Sequence, residues 1–245
     1  MAQPRVPPIE GLEHWDSVIP WDTLYTWIDW PTLPASVTIL GQEPRGVALA
    51  QMLARLGCEV TLVSRKPSLK GDAIATRWLE TLLKAEGVRL LLGVAEPTIE
   101  QTPIGKIQVD ADGEVWQSDR LLLAAGWQPA LDPQLGLAAA GLPADKILDV
   151  NHHLRTRHRQ IYAVGAALGG DGYEAVALEQ ARVATRNALF WPWFQPDTVA
   201  QPQVVWTLPP LVQLGLAGDQ ARAIDQDGRT PTPTPKARVQ LLSAY

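Results

Sequence analysis

The stretch that decides the fold is Val37-Thr38-Ile39-Leu40-Gly41-Gln42-Glu43-Pro44-Arg45-Gly46. A short apolar, β-branched run ends on a glycine, as in a strand buried on both faces of a parallel sheet. Val47, Ala50, Leu53, Ala54 and Leu56 then recur at helical spacing, and Gly57 stops them. Glu59–Val63 reads as a second strand. Asp72 caps a second helix that carries Trp78, Leu79, Leu82 and Leu83 to Gly87. Val88–Leu92 is a third strand. This β-α-β-α-β order predicts an α/β fold with a Rossmann-like, doubly wound parallel sheet over residues 37–118.

Outward from that core the texture changes. Ile104, Ile107, Val109, Val115 and Trp116 surround the turn signals Gly105 and Asp112-Gly113, which predicts a small antiparallel insertion with a hairpin. Leu121–Gly126 and Ile161–Gly165 read as two further buried strands, and Glu174–Phe190 as an apolar-periodic helix. Residues 1–36 hold Pro4, Pro7, Pro8, Pro20, Pro31 and Pro34 among Trp15, Trp21, Trp27 and Trp30. Such proline density predicts an extended arm on a domain surface, or a subdomain with a short helix near Asp22–Trp27. Thr230–Pro235 reads as a linker before a short tail to Tyr245.

Composition narrows the function classes. The 245 residues are 46% apolar, enough for a packed core. Lys+Arg is 21 against Asp+Glu 26, a formal charge of -5, which gives no electrostatic drive toward nucleic acid or anionic membrane. No run reaches the roughly 18 apolar residues of a membrane span, and the first residues lack a signal peptide's apolar run. A cytoplasmic protein is expected. A single cysteine, Cys58, excludes a disulfide or dithiol within these residues, and its place at a strand start reads as an inert core thiol.

The candidate binding site is the Gly41–Gly46 turn. A dinucleotide-binding turn has G-x-G-x-x-G where a strand meets a helix, and the first and third glycines are present. Glu43 holds the second position, where a side chain blocks the backbone's approach to a pyrophosphate. Two unit charges about 4 Å apart repel by about 4 kcal/mol at an effective dielectric of 20, a several-hundredfold loss of affinity. Arg45 offsets part of that. Alternatively, Glu43 sits on the positive helix end with Pro44 as the first helical residue. Ser64-Arg65-Lys66 follows the second strand, where cations favour a 2′-phosphate and hence NADP(H) over NAD(H), unless the loop is simply a solvated basic surface. His152, His153 and His158 lie among Arg155, Arg157 and Arg159, which repel a cation, so no metal site is expected. Glu179 and Arg182 read as surface residues. No nucleophile elbow or phosphate-cradling G-x-x-x-x-G-K is present, and no catalytic residue is assigned.

The order of these pieces resembles the pyridine nucleotide–disulphide oxidoreductases, the flavoenzyme family of mercuric reductase, dihydrolipoyl dehydrogenase and glutathione reductase. Pro31–Gly41 is similar to the start of that family's nicotinamide domain, and Cys58–Arg65 to its second strand in the style of mercuric reductase. Asp119–Pro129 looks like the strand returning to the flavin domain. Arg155-Thr156 with Ile161–Gly165 resembles the flavin-contacting segment. Val204–Leu216 resembles the start of the dimerisation domain. The resemblance implies a partial flavin-type domain over 119–196, with Gly126 and Gly165 on the flavin side, and a truncated dimerisation region over 197–245. It implies NADP(H) and FAD as the cofactors to consider. It also marks departures: Glu43 for a glycine, Ala48 for a glutamate near the nicotinamide, Ala166 for the aspartate that bonds the flavin's ribityl chain. The family's N-terminal flavin half and its cysteine pair have no counterpart in these residues.

Two functions are expected from this. One is a degenerate or split oxidoreductase that supplies a nicotinamide site to a separate flavin-bearing chain. The other is a non-catalytic interaction protein on a dinucleotide-binding fold that no longer binds cofactor. Its docking surfaces, toward a protein partner or a second copy, would be the Trp-rich arm and the C-terminal region.

Overall fold

Alternating strand positions sort a continuous apolar run onto two faces, and here both faces are covered. The computed structural model describes residues 2–19, 32–144, 146–169, 174–197, 203–214 and 238–241. In chain order the elements are β1 (Ala2–Pro4), β2 (Val18–Ile19), β3 (Ser36–Leu40), α1 (Pro44–Arg55), β4 (Glu59–Ser64), α2 (Ala73–Ala85) and β5 (Arg89–Leu92). There follow β6 (Thr98–Gln101), β7 (Ile107–Ala111), β8 (Glu114–Ser118), β9 (Arg120–Leu123), β10 (Trp127–Pro129), α3 (Glu174–Leu189), β11 (Gln203–Val205), β12 (Leu211–Leu214) and β13 (Arg238–Leu241).

The chain forms two compact units. The sheet unit comprises Pro4–Ala125 and Val204–Tyr245. Its centre is a five-stranded sheet in the order β2-β9-β3-β4-β5, with every pairing parallel. Val37, Ile39, Val60, Leu62 and Leu122 face Val47, Ala50 and Leu53 of α1 and Leu79 and Leu83 of α2. Their neighbours Leu40, Val63, Leu121 and Leu123 pack with Ile99, Ile107 and Val109 of the antiparallel sheet β6-β7-β8. The β7–β8 hairpin turns at Asp112-Gly113, both with positive φ (53° and 84°), as its twist requires. Asp72 caps α2 by accepting a bond from the Ile74 amide (2.9 Å).

The other unit comprises Met1–Gln3 and Gly126–Gln203. Its regular parts are α3, the two-stranded sheet of β1 with β10, and short 3-10 turns such as Gly165–Leu168.

Three expectations change. Residues 4–19 are not a surface arm: Leu12 is buried against β7 and β9 residues, and Val18–Ile19 pair with Leu121–Leu122 at the sheet edge. The helix expected near Asp22–Trp27 lies outside the described residues, as does the Thr230–Pro235 linker. Ile161–Gly165 is not a strand. It makes one bridge, Arg155 with Tyr162, because Thr156 ties the segment back on itself through bonds with His158 and Ile161. The expected tail holds β13, which pairs antiparallel with β12. Among the described residues no helix is long and apolar enough to cross a membrane.

Candidate functional site

The two retained glycines of the turn are accounted for by packing alone. A Cβ on Gly41 would lie 2.0 Å from the Ala124 carbonyl oxygen, and one on Gly46 would lie 2.4 Å from the Ala124 Cβ. Both distances are far inside van der Waals contact, and φ at Gly41 is +111°. These glycines let β3 and α1 close against β9, whatever the turn binds.

Glu43 is the N-cap of α1, and Pro44 is its first residue. The Glu43 carboxylate Oε2 accepts the Arg45 amide at 3.0 Å. Three further amides of the turn bond backbone carbonyls. The Gly41 amide donates to the Val63 carbonyl (2.8 Å), the Glu43 amide to that of Ala124 (3.2 Å) and the Val47 amide to that of Glu43 (3.1 Å). Pro44 has no N–H to give. A helix N-terminus holds an anion through free amides and its dipole. Here the Arg45 amide already serves the chain's own carboxylate, which sits at the positive end of that dipole.

Ser64 ends β4, beside the turn, because Leu40 and Val63 are in register. It is buried, and its Oγ accepts the Lys66 amide at 3.1 Å, while Arg65 and Lys66 are exposed. The fold thus brings Gly41, Glu43, Gly46 and the Ser64–Lys66 loop to one edge of the sheet unit. Gly126 and Gly165 belong to the other unit. The Gly165 amide donates to Gln180 Oε1 at 2.7 Å, and Ala166 beside it carries no polar side chain.

Cys58 is buried, and burial pushes its thiol pKa up. His153 Nδ1 lies 3.1 Å from the Phe194 carbonyl. Among the described residues no group of three His, Cys, Asp or Glu is placed to hold a metal. Glu179 and Arg182 pair at the surface of α3 (3.3 Å).

Periodicity missed a polar cluster on α1. Gln51 is buried on the helix face that should be apolar, four residues after Val47, and that misplaced amide was the available signal. It meets Glu86, whose carboxyl is held below its usual pKa chiefly by the hydrogen bonds of Arg55.

A parallel sheet with helices on one face and a glycine turn after its central strand defines a dinucleotide-binding architecture. The chain belongs to the pyridine nucleotide-disulphide oxidoreductase family, whose model matches residues 2–188. It is 31% identical over 236 residues to mercuric reductase of Lysinibacillus sphaericus, covering 94% of this chain and 42% of that protein. It is 26% identical to dihydrolipoyl dehydrogenase of Bacillus subtilis, covering 78% of this chain and 42% of that protein. Among solved structures, the Cu(II) complex of the HOCl-induced flavoprotein disulfide reductase RclA from Escherichia coli superposes with TM-score 0.76 at 27% identity. That match covers 91% of this chain and 51% of RclA. LpdA from Mycobacterium tuberculosis gives TM-score 0.76 at 26% identity, covering 92% and 48%. The chain spans about half or less of the length of these relatives.

Proposed function

We propose that this chain is a degenerate oxidoreductase-like member of its family, a binding scaffold whose α1 turn no longer takes a pyridine nucleotide. The observation that carries the reading is the Glu43 carboxylate on the Arg45 amide, in the place a phosphate would need. Ala48 and Ala166 support it, since each lacks the polar side chain that the family resemblance expects there. The scaffold's partner surface is the C-terminal region, where Trp206 and Leu208 are exposed, toward another protein or a second copy.

A second reading rests on Arg65 and Lys66, exposed beside the turn: a nicotinamide site offered as NADP(H) to a separate flavin-bearing chain. Calorimetric titration with NADPH separates the two. The scaffold reading expects no heat up to about 1 mM cofactor, weaker than the usual enzyme range. Micromolar binding by the unaltered chain sinks it and leaves the second reading. Glu43→Gly costs the helix cap only a few tenths of a kcal/mol, so binding gained by that variant reports on the turn rather than on stability.

A further inference from the structure

We propose that Gln51, backed by Arg55 and Glu86, is a latch that fastens the returning segment Val204–Leu214 onto α1 and so assembles an apolar groove along that helix. The chain leaves the sheet unit after Ala125 and re-enters it at Val204. At that return, one carboxamide takes both backbone groups of one residue. Gln51 Nε2 donates to the Leu208 carbonyl at 3.0 Å, and Gln51 Oε1 accepts the Leu208 amide at 2.7 Å. A neighbouring strand would pair in this way. The second Nε2 hydrogen goes to Glu86 Oε1 at 3.1 Å. Arg55 grips both oxygens of Glu86, Nε to Oε2 at 2.7 Å and Nη2 to Oε1 at 2.6 Å, and Nη2 also donates to the Leu208 carbonyl at 2.8 Å.

Two side chains of α1 therefore converge on the backbone of one residue, and Glu86 after α2 ties them to each other. The Leu208 side chain is 57% exposed, so its hold on the protein is through its backbone. Gln51 is 3% exposed, so the bonds it makes are shielded from competing water. The groove of about 360 Å³ has Ala48, Leu49 and Met52 of α1 and its C-cap Leu56 as one wall, and Trp206 and Leu208 as the other. The latch fixes the second wall between the core anchors Val205 and Leu211.

Hydrogen exchange on the full chain, read by mass spectrometry, tests this. Gln51→Ala is expected to lower protection of peptides within 203–212 by roughly tenfold or more, since it leaves the Leu208 amide without its acceptor and removes one of the two donors to the Leu208 carbonyl. Peptides within 59–64 and 107–123 should stay within about twofold. Arg55→Ala, on a half-exposed side chain, should lower the same segment by severalfold and decides the matter if Gln51→Ala does not fold. Unchanged protection of 203–212 in Arg55→Ala, or an equal fall in all these segments, overturns the latch.

Discussion

In the sheet unit, Ile39, Leu53, Leu62, Leu83, Ile107 and Leu121 are wholly buried, and every one lies on a strand or helix legible from its spacing. In the unit of residues 126–203, the apolar clusters are small: Leu137, Leu142, Leu148 and Ala163 in one, Leu154, Val183 and Ala184 in the other. What joins its segments is polar. Asn187 donates to the carbonyls of His153 (3.0 Å) and Phe194 (2.8 Å) and accepts the Phe194 amide (3.0 Å). Gln180 holds the Gly165 amide, and Tyr162 reaches the Asn187 carbonyl. The contrast teaches that one family fold can be held by apolar layers in one unit and by side chains gripping backbone in the other.

The contrast can be broken experimentally. Leu62→Ala should cost about 2–5 kcal/mol in chemical denaturation, because it empties a site enclosed by α1 and the sheet. A cost under about 1 kcal/mol would mean that the apolar layers do not carry this unit. Asn187→Ala should cost about 1–3 kcal/mol by stranding buried backbone groups. Its exchange should rise around residues 150–165 and 190–197 and not in β3 or β4. If both variants open both units together, the distinction fails.

The smallest effect expected is with pH. Glu86 is held below its ordinary value, chiefly by its bonds to Arg55. Burial pushes Asp119 up, but bonds from Lys106 and Ser36 outweigh it and leave that carboxyl lowered as well. Depressed carboxyl pKa values give stability that is complete above the unfolded value of about 4 and is lost as pH falls through the folded one. Thermal midpoints should thus fall as pH drops from about 5 toward 3, and less steeply in Glu86→Gln. An equal fall in that variant removes Glu86 from the account.

What could be read in advance follows the same division. The strands and helices of the sheet unit are continuous apolar runs with stops at Gly41, Gly57 and Gly87, and local chemistry suffices to place them. The seat of Glu43 on α1 was legible too, because Pro44 and a carboxylate at a helix start have few other places to go. Ile161–Gly165 misled because its composition suits a strand, whereas Thr156 commits its backbone locally. The pairing of Gln51 with Leu208 crosses 157 positions, and no periodicity carries a partner so far.

Leu211 is 1% exposed and belongs to the same apolar cluster as Val37 and Leu53, though it arrives long after them in the chain. Anyone dissecting this polypeptide by cutting at the tidy boundary after α3 would leave the larger fragment with a hole where that side chain belongs. A fragment meant to stand alone has to graft Val204–Leu214 back on.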